Sequence, residues 1–159
     1  MTESASPKHI AEIGDLAGII GLESVELIEI SGQRDDAVTS DHGFRMDVRS
    51  ELAGASLVVG CRAEVMGAGG RYVADAEGTF RLSAIVTVDE SVLLDFVERV
   101  GVMVIYPYLR AAVSDSAGRI GRKSPVLPLL RPGQVKLRPS EPEDDETSES
   151  PGNSVAPGP

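Results

Sequence analysis

Apolar and polar residues alternate through much of the first half of the chain, which predicts β-strands with one buried face. The alternation is clearest over 44–51 and 55–66, and it continues through a long segment over 72–88. A less regular strand over 22–31 precedes these three. Four strands in sequence with short links predict an antiparallel meander.

Glycine residues interrupt the alternating pattern at two places. The run Gly67–Gly70 predicts a turn between two strands, because glycine adopts the backbone angles that tight turns need. Gly78 lies inside the long segment and predicts a bend or a bulge in that strand.

Apolar residues recur at helical spacing on both sides of the strands. Ser6-Pro7 is typical of an N-cap followed by proline, and the spacing after it predicts an amphipathic helix over about 7–20. Apolar stripes predict helices over about 90–121, with the second starting near Pro107, since proline must start, kink or break a helix. We therefore expect an α+β fold in which the N-terminal and C-terminal helices pack on one face of the sheet.

The last part of the chain has two sections of different composition. Over 122–137, Pro125 and Pro128 keep an apolar run extended rather than helical. The tail over 138–159 holds five of the ten prolines and six acidic residues, and it cannot bury enough apolar surface to offset its conformational entropy. We expect one domain over 1–137, followed by a disordered tail.

The net charge of −10 is unevenly distributed along the 159 residues. Residues 1–100 hold 18 acidic and 8 basic side chains, whereas 101–137 hold one acidic and six basic. The overall negative charge counts against nucleic-acid binding, because phosphate backbones are bound mainly through Lys and Arg. We see no secretion signal and no apolar run of the roughly 20 residues that a membrane span needs, so we expect a cytoplasmic protein without membrane insertion.

Residues that commonly carry catalysis are few and scattered. His9 and His42 have no metal-ligating partner at helical spacing, and Cys61 falls on the apolar side of its strand. The Gly67–Gly70 run lacks the Lys-Ser/Thr that follows in a phosphate-binding loop. We therefore predict no enzyme, no cofactor and no metal site.

Apolar residues exceed what a small sheet can cover. The run Val100–Tyr108 is hydrophobic on all sides of a helix, and Pro125–Leu130 adds a second apolar strip. The surplus must be buried between subunits or offered to partners.

The residues Ile105-Tyr106-Pro107-Tyr108-Leu109-Arg110, followed by Ala-Ala-Val-Ser-Asp, resemble the SecB family of protein-export chaperones. That family carries an aromatic-Pro-Tyr-x-Arg turn at the start of its first long helix. Gly121–Leu130 resembles the family's apolar crossover, and Glu77–Phe80 resembles the Gly-x-Phe bend of its fourth strand. The resemblance spans about 22–130, and we call residues 122–137 the crossover segment.

The resemblance implies a homotetramer, a dimer of dimers, that holds unfolded proteins without ATP in long hydrophobic grooves. Carried over position by position, it implies these client-binding residues: Val102, Met103, Tyr106, Tyr108, Val126, Leu127, Leu129 and Leu130. It also places Tyr72, Ala74 and Ala76 where the family's fourth strand supports tetramer assembly. Unfolded preproteins are the clients that it implies.

The chain departs from the family pattern in several places. Ser124-Pro125 replaces Phe-Pro in the crossover, and Arg131-Pro132-Gly133 stands where a C-terminal helix would begin. Arg71 and Val73 occupy positions resembling those where acidic residues engage the Sec motor ATPase, which weighs against that partner. The predicted N-terminal helix is more similar to the SecB-like proteins of actinobacteria, some of which guard an antitoxin.

Three functions therefore remain open from the sequence. The first is an ATP-independent holdase for export, and the second is a chaperone that guards the antitoxin of a toxin–antitoxin pair. The third is an oligomeric scaffold in which the apolar strips only join subunits. For a holdase, the basic residues Arg110, Arg119, Arg122 and Lys123 beside the groove favour acidic or neutral clients.

Overall fold

A four-stranded antiparallel sheet with one long helix against it forms the centre of the fold. The computed structural model describes residues 6–38 and 43–137, so the predicted tail and His42 lie outside the described residues. The strands are β1 (Lys8–Ile10), β2 (Ile20–Arg34), β3 (Gly43–Ala53), β4 (Ser56–Gly67), β5 (Gly70–Leu82) and β6 (Val86–Val88). The helices are α1 (Ile13–Ala17), α2 (Glu90–Phe96) and α3 (Val102–Arg119), and a π-helical turn (Val97–Gly101) joins the last two.

The order of the strands across the sheet is β2-β5-β4-β3. The last three strands form the predicted meander, but β2 pairs with β5 and not with β3, so the prediction for the first strand was wrong. The tight turn at Ala68-Gly69, with both residues at positive φ, ties β4 to β5. The connection from β2 to β3 is longer, which lets β2 reach the open edge of β5 in a Greek-key arrangement.

Gly78 allows α3 to pack closely against the sheet, and it does not form a bulge. Its strand keeps an unbroken register with β4, and the register shifts lie in β2, after Leu22 and after Leu27. A Cβ at Gly78 would stand 3.3 Å from the Ile105 side chain of α3. The bulge prediction was therefore wrong, and the glycine lets the helix approach the sheet.

The N-terminal segment does not form the predicted helix over 7–20. Lys8–Ile10 instead pairs in parallel with Val86–Val88, and only Ile13–Ala17 is helical. Ile10 and Leu16, which the pattern placed on one helical face, are both buried in the core from these separate elements. Tertiary pairing has overridden a weak local helical preference. The same pairing separates Val86–Val88 from the long strand predicted over 72–88.

The helical region is continuous through Pro107. The predicted helix start at this residue was wrong, since α3 begins at Val102 and contains Pro107. A proline inside a helix removes one backbone N–H and so leaves one carbonyl without its usual donor. Pro107 is exposed, so water can reach this side of the helix.

The core lies between α3 and one face of the sheet. Buried residues of β4 and β5 pack against Ile105, Leu109 and Val113 of the helix. Phe80 and Phe96 meet edge to face with ring centroids 5.6 Å apart. Within 6–38 and 43–137, no helix is long and apolar enough to cross a membrane.

Candidate functional site

The crossover segment runs back along α3 and is held to the rest of the fold by contacts at both ends and in the middle. At its start, Arg122 forms an ion pair with Asp36. In the middle, the Tyr106 hydroxyl donates a hydrogen bond to the Pro128 carbonyl over 2.6 Å. At its end, the Glu98 carboxylate accepts the Leu137 backbone N–H over 2.6 Å. Because these anchors lie far apart along the segment, the side chains between them can face outward.

Two cavities flank the crossover segment. The helix-side cavity has a volume of about 420 Å³ and is lined by Pro107, Arg110, Ala111, Ser114, Ser124, Pro125, Val126 and Leu127. The strand-side cavity has a volume of about 400 Å³ and is lined by Gly43, Phe44, Val65, Val126, Leu127, Pro128 and Leu129. They share Val126 and Leu127, so together they form one two-sided groove across the crossover segment.

The groove exposes large apolar side chains. Val126 is 82% exposed and Leu129 is 78% exposed, so both present apolar surface beside the cavities. The strand-side cavity lies at β3, which is an edge of the sheet. Apolar anchors beside a sheet edge suit an extended polypeptide, which can combine side-chain burial with backbone pairing.

The predicted client-binding residues divide between surface and core. Val126, Leu129 and Tyr108 are exposed, and Met103 and Leu130 are partly buried. Leu127 is buried between the two cavities. Val102 is buried in the core, so it offers no surface, because the helix turns this position toward the sheet.

Tyr106 supports the groove from beneath. Its ring is buried and meets Phe44 edge to face with centroids 6.4 Å apart. Burial raises the pKa of its phenol, an effect that the charge of Arg110 opposes. The hydroxyl therefore stays protonated at neutral pH and donates to Pro128. Tyr106 therefore anchors the crossover segment, and its ring is not exposed for contact with a client.

The predicted interface residues Tyr72, Ala74 and Ala76 are all buried within a single chain. Even-numbered positions of β5 face α3, and the helix covers them. These three residues therefore offer no surface to a second subunit, which differs from the interface role that the family resemblance implied. Apart from Met66 in β4, the large apolar residues of the sheet that are exposed lie on the edge strand β2: Leu22, Leu27, Ile28 and Ile30. We call these four residues the β2 strip. The register shifts in β2 had obscured its alternation in the sequence.

The sheet face away from α3 carries interleaved charges. Arg49 lies across Gly60 and reaches Asp75 over 2.8 Å and Glu77 over 2.7 Å. Arg62 pairs with Glu29, and the hydrogen bond between them lowers the pKa of that carboxyl. This face is therefore a mixed-charge surface rather than a uniformly acidic one.

The described residues supply little chemistry for catalysis. Burial raises the pKa of the Cys61 thiol to about 12, which keeps it protonated and unreactive at neutral pH. In the ranges 6–38 and 43–137, no three His, Cys, Asp or Glu side chains cluster closely enough to hold a metal ion. What the arrangement can do is bind apolar surface.

Comparison with known proteins identifies this architecture. The fold matches the Mycobacterium tuberculosis Rv1957 SecB-like chaperone, solved in complex with a ChAD peptide from the Rv1956 HigA1 antitoxin. The TM-score is 0.64 at 15% sequence identity, and the match covers 80% of this chain and 99% of that one. The fold is therefore SecB-like: an α+β fold with a four-stranded antiparallel sheet and a long helix packed on it.

The sequence comparison is more specific. No protein-family model matches the chain. The chain is 40% identical over 141 residues to the SecB-like chaperone SmegB of Mycolicibacterium smegmatis (strain ATCC 700084 / mc(2)155), which covers 88% of this chain and 95% of SmegB. The chain belongs to the SecB-like chaperone family, of the actinobacterial type, and that family is non-enzymatic.

Proposed function

We propose that this chaperone binds an extended, apolar segment of a non-native polypeptide in the groove across the crossover segment, without ATP. The observation that carries the proposal is the pair of cavities, about 420 and 400 Å³, that meet at the exposed Val126. Leu129 provides a second exposed anchor on the strand side.

The driving force is apolar burial. Full burial of an aliphatic side chain contributes about 1.5–3 kcal/mol, so Val126 and Leu129 together supply several kcal/mol before the cost of ordering the client. Met103 precedes Pro107, which lines the helix-side cavity, by about one helical turn, and its flexible thioether suits adaptable contacts. Binding the unfolded state draws a client away from folding and aggregation by mass action.

An antitoxin segment is the client class with more support than export preproteins. The structural neighbour is a SecB-like chaperone in complex with a peptide from an antitoxin. The resemblance implies that the Sec motor ATPase engages acidic residues on the outer sheet face. Here that face also carries arginines such as Arg49 and Arg62, which weighs against the Sec motor ATPase as a partner. In this proposal the chaperone works in the cytoplasm and guards a particular partner, and export of preproteins is the second candidate.

Self-association into a homotetramer is also part of the proposal, and we assign one contact to the β2 strip. Four exposed apolar residues on an edge strand suit pairing with a second copy, because both the backbone edge and the side chains gain partners. The same strip is the observation that supports the scaffold alternative, in which subunits associate but no client binds.

The test is aggregation suppression with a chemically denatured client. The double substitution Val126→Ser with Leu129→Ser removes exposed apolar surface without disturbing the core, and we expect it to abolish most of the suppression. Ile85→Ser is the matched control, because Ile85 is 62% exposed but lies outside both cavities. Undiminished suppression by the double variant, or no suppression by the native chain at a stoichiometric ratio, would refute the proposal.

A further inference from the structure

Among the residues that the structure describes, Arg110 differs from most arginines in having no acidic partner. Eight other arginines in the described residues have a carboxylate oxygen within 4.0 Å, including Arg119 with Asp115 and Arg122 with Asp36. No such pair involves Arg110 within 6–38 and 43–137. Two other described arginines also have no such pair, but Arg34 donates to the Ile120 carbonyl and Arg131 lines neither cavity.

The position of Arg110 connects it to the groove. It lines the helix-side cavity together with Pro107, Ala111 and Ser114, which share one face of α3 at helical spacing. Val126 of the crossover segment lines the same cavity. Arg110 is exposed and borders a cavity lined by small and apolar side chains and two serines, so a client segment lying in that cavity can bring a carboxylate to it.

We propose that Arg110 binds a carboxylate of the client, so that the groove selects apolar segments that carry an Asp or Glu side chain. This inference rests on the proposed function, because it assigns a specificity residue to the same groove. A guanidinium holds a carboxylate with two parallel hydrogen bonds, which are stronger than those between neutral groups. Of the other basic residues predicted beside the groove, Arg119 and Arg122 are paired with Asp115 and Asp36, and Lys123 lines neither cavity, so the selectivity falls on Arg110.

The experiment measures binding of three fluorescent peptide probes to the full chain by anisotropy. The probes share an extended apolar sequence and differ at one central residue, which is Asp, Asn or Lys. We expect the Asp probe to bind about tenfold more tightly than the Asn probe, in keeping with one charge-assisted hydrogen-bonded pair. The Lys probe should bind most weakly, and added salt should reduce the preference.

Two substitutions locate the effect. Arg110→Gln should remove the difference in affinity between the Asp and Asn probes. Arg119→Gln is the control on the same helix, because Arg119 is exposed but already paired with Asp115, and it should keep the preference. A preference that survives Arg110→Gln would overturn the proposal.

The remaining outcomes separate this inference from the proposed function. If the Asn probe binds but the Asp probe gains nothing, the groove is a binding site and the assignment of Arg110 is wrong. If no probe binds, both fail. A third variant replaces the six acidic residues of 138–159 with amides in the full chain. A preference that appears only in this variant would mean that the tail occupies Arg110, and it would overturn client recognition.

Discussion

The hydrogen bond from Tyr106 to Pro128 offers a direct test of how the crossover segment is held. Tyr106→Phe removes one hydroxyl and keeps the buried ring and its edge-to-face contact with Phe44. The bond is 2.6 Å long and joins α3 to the middle of the crossover segment. If this bond anchors the segment, its loss should loosen the residues between the two cavities.

The expected size of the effect follows from the surroundings of the acceptor. A hydrogen bond within a protein contributes about 1 kcal/mol net, and leaving a buried group unsatisfied costs about 1–3 kcal/mol. Pro128 is exposed, so water can replace the phenol at its carbonyl. We therefore expect the free energy of unfolding to fall by about 1 kcal/mol, a roughly fivefold change in the folding equilibrium.

Urea denaturation measures this difference, and limited thermolysin digestion reports whether the crossover segment opens locally. Tyr108→Phe is the matched control, because Tyr108 is 45% exposed on the same helix. No hydrogen bond of its hydroxyl to another side chain or to the backbone is present among residues 6–38 and 43–137. Equal stability and equal digestion of the two variants would refute the anchoring role of Tyr106.

Four further predictions concern the rest of the molecule. Leu27→Ser combined with Ile30→Ser should reduce the mass of the oligomer measured by light scattering. An unchanged mass would show that the β2 strip is not part of the subunit interface. Cys61 should resist iodoacetamide at pH 8 until the chain unfolds, because its thiol pKa is about 12. Because this pKa is higher in the folded chain than in the unfolded chain, the thiol contributes to the free energy of unfolding below pH ~9. This contribution should decline as the pH rises toward 12 in the native chain, and Cys61→Ala should show no such decline. Gly60→Val should displace Arg49 from Asp75 and lower the midpoint of thermal unfolding, whereas the exposed Gly14→Ala should not.

The strands and the helical region could be read from the sequence because their signals are local. Alternation over 44–51 and 55–66 corresponds to β3 and β4, and the Gly67–Gly70 turn is confirmed. The Tyr106-Pro107-Tyr108 motif led to the family that the comparison with SmegB shows. These features depend on side-chain spacing within one element, which the chain carries by itself.

The groove was predicted only in outline. The apolar run over 125–130 marked the crossover segment, and Val126 and Leu129 are exposed on it. The burial of Val102 and the anchoring role of Tyr106 were missed, because a helix that is apolar on all sides does not show which side faces the sheet. The β2 strip was missed because two register shifts break its period.

The sequence by itself determined the alternation of β3, β4 and β5, the presence of a helical region after the strands and the family of the protein. The tertiary structure alone decided which face of β5 the helix covers, and this moved Tyr72, Ala74 and Ala76 from a surface into the core. It also decided that Lys8–Ile10 pairs with Val86–Val88, and that Arg122 pairs with Asp36 while Arg110 has no carboxylate partner among residues 6–38 and 43–137. The physical reason is that an alternating pattern distinguishes two faces without naming the neighbour of either, whereas strand pairing and ion pairing depend on contacts between residues distant in the chain.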